Sequence, residues 1–309
     1  MNNVTTEERI IKSLLSEHRS ARRWKNIRFF VWLIIILSFL FLLISNSISD
    51  KSKKSFTGNY VSLLRLNGMI MPGAEFSAKR IIPQLNKAFT DKDAKGVVLL
   101  MNSPGGSPVQ ASIIHDKIEY LKAKYHKKVI VVAEDTLASG AYLVATSADK
   151  IFVSKDTLTG SIGVIMSGFG FKDAIAKLGI DRRVFTAGVN KDRLDPFRAL
   201  KPQDVKKMQV LLDEVHKNFI KDVLDGRHNK LQGDPSEIFS GDFWTGTQAV
   251  KLGLADKTEN PWDAMENTFG TMRYVDYTPS KTFWEAISKD ISTVLHIGLT
   301  NNTQLEAVL

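Results

Sequence analysis

The sequence predicts an α/β fold with a largely parallel sheet, and two observations carry this prediction. Short apolar runs rich in β-branched residues alternate along the chain with amphipathic runs of helical length. The short runs, such as GVVLLMN at 96–102 and KKVIVVAE at 127–134, are continuously apolar. Continuous apolar runs indicate strands that are covered on both faces, as the strands of parallel sheets are.

The predicted strands and helices follow one another from residue 60 onward. The strands are predicted at 60–68, 96–102, 127–134, 150–154 and 182–188. The helices are predicted at 77–91, 108–125, 139–148, in the residues after Gly170, and at 201–226. The last of these helices is long, and its apolar residues recur at helical spacing.

The composition of the chain excludes several kinds of site. The 309 residues include no cysteine, so disulfides, thiolate metal ligands and cysteine nucleophiles are excluded. The formal net charge is +9, and residues 1–54 contain ten basic and four acidic residues. Little excess positive charge is left for the rest of the chain, so a nucleic-acid-binding face is not expected there. We also expect neither a metal nor a cofactor.

Residues 29–49, FFVWLIIILSFLFLLISNSIS, form an apolar run without a charged residue. About 20 residues at a rise of about 1.5 Å match the apolar core of a bilayer, so a transmembrane helix is predicted. A cleaved signal peptide is the alternative, but its apolar stretch would be only about 7–15 residues long. Because the flank before the run is the more basic one, residues 1–28 are expected in the cytoplasm and the bulk of the chain outside it.

The stretch NSPGGSP at 102–108 lies between a predicted strand and a predicted helix, where parallel sheets bind ligands. Gly105 and Gly106 let backbone N–H groups point outward, and the helix start adds partial positive charge. This suits an oxyanion or a phosphate, although the motifs that accompany phosphate sites are missing. An ordinary tight turn is the other interpretation.

The stretch DTLASGAY at 135–142 contains a serine, Ser139, between a predicted strand and a predicted helix. A serine at a helix start is commonly an N-cap. The small neighbours Ala138, Gly140 and Ala141 leave room for a substrate backbone beside the hydroxyl, which a cap does not need. The placement resembles a nucleophile elbow, although the G-x-S-x-G pattern is absent. Both interpretations are open at this point.

A nucleophilic serine needs a base. None of the six histidines lies at an obvious turn, but a Ser-His-Asp triad can be assembled from any chain order, and His115 is the first histidine to test. Lys191, in the loop TAGVNKDRLDPF at 186–197, is a second candidate. A single lysine in such a loop is more often a solvated surface charge.

Together these stretches resemble the bacterial signal peptide peptidase A family of membrane-anchored serine proteases with a Ser-Lys dyad. The resemblance covers roughly residues 57–258 and is to the short form, in which one chain carries both members of the dyad. It implies a crotonase-like and caseinolytic-protease-like spiral of ββα units, preceded by one transmembrane helix. Five motifs in order carry it: NSPGG (102–106), ASGAY (138–142), LTGSIGV (158–164), AGVNKDRLDPFR (187–198) and FWTGTQAVKLGLAD (243–256).

The resemblance implies a role for each candidate residue. Ser139 matches the nucleophile of the family and Lys191 matches its general base. Ser161 is expected to orient the Lys191 amine by a hydrogen bond. The backbone N–H of Gly106, together with that of Gly105, is expected to stabilise the tetrahedral oxyanion.

The loop around Lys191 departs from the family pattern, which often reads Lys-Ser-Gly before this Pro-Phe. Here Asp192 and Asp195 follow the lysine, and a nearby carboxylate favours the ammonium form. A lysine acts as a base only when neutral, so we expect Lys191 in an apolar pocket and both aspartates facing solvent. Lys172 and Lys201 are the alternative lysines.

The predicted function is a single-pass membrane serine endopeptidase that hydrolyses extended peptides through an acyl-enzyme. Cleaved signal peptides and misfolded membrane or exported proteins are the expected substrates, and a substrate can add as a β-strand. The catalytic domain is expected on the extracytoplasmic side of the cytoplasmic membrane, and the resemblance implies a homo-oligomer. The alternatives are a crotonase-like acyl-CoA enzyme and a non-catalytic membrane scaffold.

Five segments follow from these predictions. The segment after the catalytic domain is expected to contact another subunit or the membrane, and it includes a predicted amphipathic helix at 283–299. The segments are the cytoplasmic residues 1–28, the transmembrane helix 29–49, a linker at 50–58, the peptidase domain 59–258 and the C-terminal extension 259–309.

Overall fold

The computed structural model describes residues 24–42 and 58–279, which belong to two separate units. The first unit contributes helix α1 (Trp24–Leu42), 19 residues with a mean hydropathy of 1.9. Among the described residues it is the one helix long and apolar enough to cross a membrane, a test that signal sequences also pass. Helix α1 begins five residues before the predicted span. The rest of that span, most of the linker and the predicted helix 283–299 lie outside the described residues.

A mixed sheet forms the centre of the second unit. Its strands are β1 (Tyr60–Asn67), β2 (Ala94–Ser103), β3 (Val129–Ala138), β4 (Lys150–Val153), β5 (Leu158–Gly160), β6 (Phe243–Thr245), β7 (Lys257–Thr258) and β8 (Tyr274–Asp276). The strand order is β6-β5-β3-β2-β1-β8, with β4 paired to β3 and β7 paired to β4. Every pairing is parallel except that of β5 with β6.

Helices connect the strands, and their ends follow from local sequence. The helices are α2 (Ala78–Thr90), α3 (Pro108–Tyr125), α4 (Gly140–Ala145), α5 (Lys172–Lys177), α6 (Pro202–Arg227), α7 (Pro235–Ile238), α8 (Gly246–Lys251) and α9 (Pro261–Phe269). As an example, Ser107 caps α3 by accepting a hydrogen bond from the Gln110 backbone N–H, and Pro108 occupies the first turn, where it displaces no helical hydrogen bond.

The sheet is covered on both faces, which confirms the prediction made from the continuous apolar runs. Val97 and Leu99 belong to a large core beneath α2, α3 and α4. Val98 and Leu100, which alternate with them along β2, belong to a second core that α9 closes with Met265. Burying each such side chain contributes about 1.5–3 kcal/mol, so both faces of β2 and β3 stabilise the fold.

The predicted strand at 182–188 is wrong. The structure has no strand there, and Val184 and Phe185 are 44% and 93% exposed. β-branched and aromatic residues form a strand only where a neighbouring strand offers hydrogen bonds and a surface to pack on. No described strand lies beside this run, which belongs to a mostly exposed segment, residues 163–200, that we call the arm.

Candidate active site

Ser139 lies at the sharp turn between β3 and α4. Its backbone has φ 53° and ψ −127°, and its side chain makes no capping hydrogen bond to α4. A non-glycine residue at positive φ is strained by about 1–3 kcal/mol, and such strain clusters at active sites. The turn is held on both sides, because the Ser139 N–H donates to the Gly160 carbonyl and the Leu143 N–H donates to the Ser139 carbonyl, at 2.9 and 3.0 Å. The Ser139 side chain therefore does not cap α4, and the strained turn between a strand and a helix is the kind of position that a nucleophilic serine occupies.

The glycine loop after β2 packs directly against this elbow. A Cβ atom on Gly105 would lie 2.7 Å from the Gly140 nitrogen and 2.8 Å from the Ser139 Cβ. Gly105 has φ +94° and Gly106 has φ +144°. Because neither the space nor the backbone conformation admits a side chain, only glycine lets the loop approach the serine this closely.

A second contact fixes the glycine loop from its other side. The Ile70 N–H donates to the Gly105 carbonyl, and the Ser107 N–H donates to the Ile70 carbonyl, both at 2.8 Å. The Gly105 N–H donates to the Ser103 side-chain oxygen at 3.2 Å. Of the two glycines predicted to bind the oxyanion, Gly105 thus has its N–H engaged, whereas Gly106 lines the cavity at Ser139.

Gly140 also lines that cavity; it was predicted only as a small neighbour of Ser139 and not as an oxyanion donor. In a nucleophile elbow, the backbone N–H after the nucleophile commonly donates to the oxyanion. A Cβ placed on Gly140 would lie 3.4 Å from the Gly106 nitrogen, so the two backbones are close neighbours. The position after Ser139 was a signal that sequence reasoning could have used.

The cavity at Ser139 has a volume of about 710 Å³, within the range of about 300–1,000 Å³ that ligand sites occupy. Its polar groups include Ser139, Ser161 and the carboxylates of Asp116 and Asp222. Burial raises the pKa of Asp222, and the neighbouring Asp116 acts in the same direction. The remaining walls are mainly apolar and include Pro108, Val109, Ile113, Leu143, Val215 and Phe219.

Ser161 reaches the same cavity from the end of β5. Its backbone has φ 50°, its N–H donates to the Asp242 carbonyl at 2.7 Å, and its carbonyl accepts from the Gly163 N–H at 2.9 Å. The structure therefore brings Ser139, Ser161 and Gly106 together around one space.

Lys191 does not reach that space within this chain. It lies in a turn of the arm, is exposed, and is not among the residues that line the cavity. The expected apolar pocket around Lys191 is therefore absent from the described part of this chain. Lys172, at the start of α5, and Lys201, before α6, do not line the cavity either.

The expectation that both aspartates face solvent is wrong for Asp195 and only partly met by Asp192. Asp195 is only 8% exposed and pairs with Arg182 at 3.1 Å, and Asp192 is 28% exposed and pairs with Arg198 at 3.4 Å. An arginine beside a carboxylate offsets its charge and its burial cost. Both aspartates are thus occupied by guanidinium groups of the arm.

Asp204 anchors the loop that follows Lys191. Its side chain is 2% exposed and accepts from Arg193 at 2.9 Å and from Arg198 at 2.6 Å. Burial would raise the pKa of Asp204, but the hydrogen bonds from the two arginines outweigh burial and lower it. The first turn of α6 and the Lys191 loop are therefore held together by one carboxylate.

The histidines near the cavity have other partners. His115 Nδ1 lies 3.1 Å from the Asp116 carboxylate, and His216 Nε2 lies 2.9 Å from the Ile162 carbonyl. Neither ring is hydrogen-bonded to Ser139. Across residues 24–42 and 58–279, no group of three or more His, Asp or Glu side chains is placed to hold a metal ion.

The fold and the elbow define a class: an α/β protein of the caseinolytic-protease type with a serine at a strand-to-helix turn. The model of the Clp protease family matches residues 58–155, and that of peptidase family S49 matches residues 122–269. The protein named "Putative signal peptide peptidase SppA" of Enterococcus faecium is 30% identical over 243 residues, which are 76% of this chain and 70% of that one. The chain belongs to peptidase family S49, the family of signal peptide peptidase SppA.

Two further relatives are longer proteins. The chain is 42% identical over 215 residues to the Na(+)/H(+) antiporter NhaA of Brucella melitensis, a match that covers 68% of this chain but 29% of that protein. It is 32% identical over 209 residues to Protease 4 of Haemophilus influenzae, covering 64% of this chain and 32% of that one. The chain thus spans about a third of the length of these two relatives.

Proposed function

We propose that the protein is a membrane-anchored serine endopeptidase that hydrolyses extended peptides by means of Ser139. The observation that carries the proposal is the strained Ser139 elbow, with the Gly105–Gly106 loop packed against it and an apolar cavity beside it. Membership of peptidase family S49 supports the same reaction. The Ser139 oxygen attacks the substrate carbonyl while its proton passes to the general base, and the base returns that proton to the amine nitrogen as the peptide C–N bond breaks and the acyl-enzyme forms.

We propose that the backbone N–H groups of Gly106 and Gly140, which both line the cavity, share the oxyanion of the tetrahedral intermediate. Donors that are fixed before the reaction stabilise this charge without reorganising, and each contributes about 10²–10³ in turnover. The tight fit of the glycine loop against Ser139 supplies this rigidity. Water then attacks the acyl-enzyme and releases the second peptide.

Lys191 is the proposed general base, and we propose that a neighbouring copy supplies it. The arm that carries Lys191 exposes large apolar side chains, among them Ile165, Phe185 and Val189 at 88%, 93% and 89%. An exposed apolar segment of this kind marks a protein–protein contact. Contact with a second subunit would bury the arm and surround the lysine, and Ser161 would accept or donate a hydrogen bond at its amine.

The apolar walls favour substrates with apolar side chains, as in the cores of signal peptides. Helix α1 and the basic residues before it support a single-pass anchor with the catalytic unit outside the cytoplasm. The acyl-CoA alternative is not favoured. The described residues that line the cavity include two carboxylates and no lysine or arginine, which does not suit the phosphates of CoA.

Hydrolysis of a fluorogenic peptide with an apolar core by the full chain in detergent tests the dyad. We expect Ser139→Ala and Lys191→Ala each to abolish turnover, and the double variant to be little worse than either, because the two groups act as a unit. His115→Ala is the matched control and should stay active. If Lys191→Ala keeps activity and His115→Ala loses it, the base is the histidine.

Mixing the two inactive variants tests the contribution from a neighbour. If the lysine comes from a second copy, Ser139→Ala and Lys191→Ala chains that are unfolded and reassembled together should recover part of the wild-type activity. A mixture that stays inactive, although crosslinking shows that both chains share oligomers, would place both groups in one chain.

A further inference from the structure

The parallel strands of the sheet begin at one edge, which we call the amino edge, and end at the other, the carboxyl edge. Ser139 follows the end of β3 and so lies at the carboxyl edge. At the amino edge, a basic residue stands at or beside the start of four strands: Lys95 at β2, Lys128 at β3, Lys150 at β4 and Arg273 at β8. All four residues are exposed, so the amino edge presents a row of positive charge to solvent.

Part of this charge stabilises the fold itself. Lys95 donates a hydrogen bond to the carbonyl of Phe269, the last residue of α9, at 3.0 Å. Basic groups commonly bind the free carbonyls and the partial negative charge at helix C-termini. Lys128 and Lys150 make no such contact, and their side chains have no hydrogen bond or ion pair with any residue that the structure describes. Their charges are therefore available to a ligand.

The aspartates nearest these strand starts are already engaged. Asp91 accepts hydrogen bonds from two tyrosine hydroxyls, at 2.9 and 2.6 Å. Asp149 accepts from a backbone N–H at 2.7 Å and pairs with Lys122 at 3.5 Å. Asp93 interacts electrostatically with Lys127. These acids thus have partners other than Lys128 and Lys150, and they leave the excess positive charge of the amino edge in place.

The carboxyl edge has the opposite character. Its acidic side chains include Glu134, Asp135, Asp156 and Asp276. Two of these acids are paired, Asp276 with Arg65 at 3.2 Å and Asp156 with Lys155 at 3.8 Å. An anionic surface therefore attracts the amino edge and repels the carboxyl edge, although the net charge of the unit is small.

The point where the chain enters the sheet indicates which surface meets the amino edge. Tyr60 begins β1 at this edge, and residues 43–59 separate it from the end of α1. From the end of the predicted span at residue 49, residues 50–59 reach at most about 35 Å. Strands β2 and β3 have ten residues each and are about 33 Å long. The amino edge can thus meet the bilayer with little of that reach, whereas the carboxyl edge would need nearly all of it.

We propose that the amino edge docks on anionic lipid headgroups of the membrane that holds α1. Lys128 and Lys150 contact the lipid phosphates, and Met272, which is 49% exposed beside Arg273, adds an apolar contact. Ser139 then faces away from the lipid, so peptides reach it from the aqueous side. This proposal rests on the membrane anchor proposed above and does not depend on which residue is the base.

Fluorescence quenching of the full chain in lipid nanodiscs tests the docking. Because the chain has no cysteine, a single introduced cysteine can be labelled with bimane without background. Met272→Cys reports on the amino edge. Met69→Cys, just past the end of β1 at the carboxyl edge, is the matched control, because Met272 and Met69 are 49% and 55% exposed and neither change alters the charge. The quencher is phosphatidylcholine with a spin-labelled headgroup.

The two labels should respond differently to phosphatidylglycerol. Each basic residue near an anionic surface strengthens binding about fivefold, so we expect the Met272→Cys label to be quenched at least about threefold more in nanodiscs that contain phosphatidylglycerol than in phosphatidylcholine alone. The Met69→Cys label should be quenched equally little in both. Salt at about 1 M should remove the difference, because it shortens the Debye length from about 10 Å to about 3 Å.

Charge reversal identifies the residues that dock. Lys128→Glu combined with Lys150→Glu should abolish the effect of phosphatidylglycerol in Met272→Cys, because loss of the two lysines alone weakens the contact about 25-fold. Lys79→Glu combined with Lys155→Glu is the matched control, since both lysines are exposed at the carboxyl edge and the change in net charge is the same. Thermal unfolding shows whether each variant is folded, and glutamine replaces glutamate at both positions if it is not.

Three results would overturn the proposal. They are equal quenching of the Met272→Cys label in both lipids, stronger quenching of the Met69→Cys label, and an effect of phosphatidylglycerol that survives charge reversal at Lys128 and Lys150. A chain that separates from the nanodiscs on gel filtration would instead refute the anchor, and the docking with it.

Discussion

Replacing Gly106 by alanine should disable turnover while largely preserving substrate binding. The new Cβ atom would lie 2.2 Å from the Ile70 carbonyl oxygen, whereas ordinary contacts begin at 3.4 Å. The loop must therefore shift by about 1 Å, and a misplacement of that size costs about 10²-fold in rate. Loss of one oxyanion donor costs about 10²–10³-fold, so kcat should fall by at least about 10². KM should change little, because the apolar walls of the cavity stay in place.

The assay is peptide hydrolysis at several substrate concentrations, with the folded fraction followed by circular dichroism. Gly68→Ala is the matched control, because Gly68 also has a positive φ, +83°, but has nothing within 4 Å of the added Cβ. Both variants carry backbone strain of about 1–3 kcal/mol, and only Gly106→Ala also displaces the loop. The prediction is contradicted if folded Gly106→Ala keeps more than a tenth of the wild-type kcat, or if the kcat of Gly68→Ala falls as far as that of Gly106→Ala.

Further predictions concern the anchor, the arm and the core. Protease added outside spheroplasts should digest residues 60–309; protection of this part would reverse the orientation. Asp204→Asn should make the free energy of unfolding depend less on pH in the acid range. The pKa of Asp204 is lowered in the folded state, so the carboxylate stabilises the fold fully above its unfolded pKa of about 3.9, and this stabilisation is lost as pH falls through the folded pKa. Denaturation of Asp204→Asn and of the wild type between pH 7 and 3 checks this. If the free energy of unfolding of both proteins falls equally with pH, the prediction is contradicted. Arg227→Met should cost about 2 kcal/mol, because the buried guanidinium loses its hydrogen bonds to Asp256 and to the Gly253 carbonyl. The cost stays this small because Asp256 keeps Lys230 and is not left as an uncompensated charge. A urea midpoint equal to that of the wild type would contradict this estimate.

The sequence was sufficient for strands β1 to β4, because burial on both faces leaves a direct trace in composition, but it did not predict the short strands β5 to β8. β2 and β3 read as unbroken apolar runs, and the structure places them at the centre of the sheet. The small residues around Ser139 predicted room for a substrate backbone, and the structure shows that Gly140 also lies against the backbone of Gly106. The resemblance in motifs then led to the correct family.

Tertiary contacts decided what the sequence left open. Whether Asp195 faces solvent depends on Arg182, which is 13 positions away and reaches it only in the folded arm. The run at 182–188 has the composition of a strand, but a strand also needs a neighbour, which composition cannot report. The position of Lys191 relative to Ser139 follows in the same way from the path of the arm.

The most direct test of the account is covalent labelling of the full chain with a fluorophosphonate, followed by mass spectrometry of its peptides. We expect one adduct, on Ser139, with a labelling rate that falls at least about 10²-fold in Lys191→Ala and stays near wild type in His115→Ala. An adduct on another serine, or labelling of Ser139 that depends on His115 and not on Lys191, would contradict it.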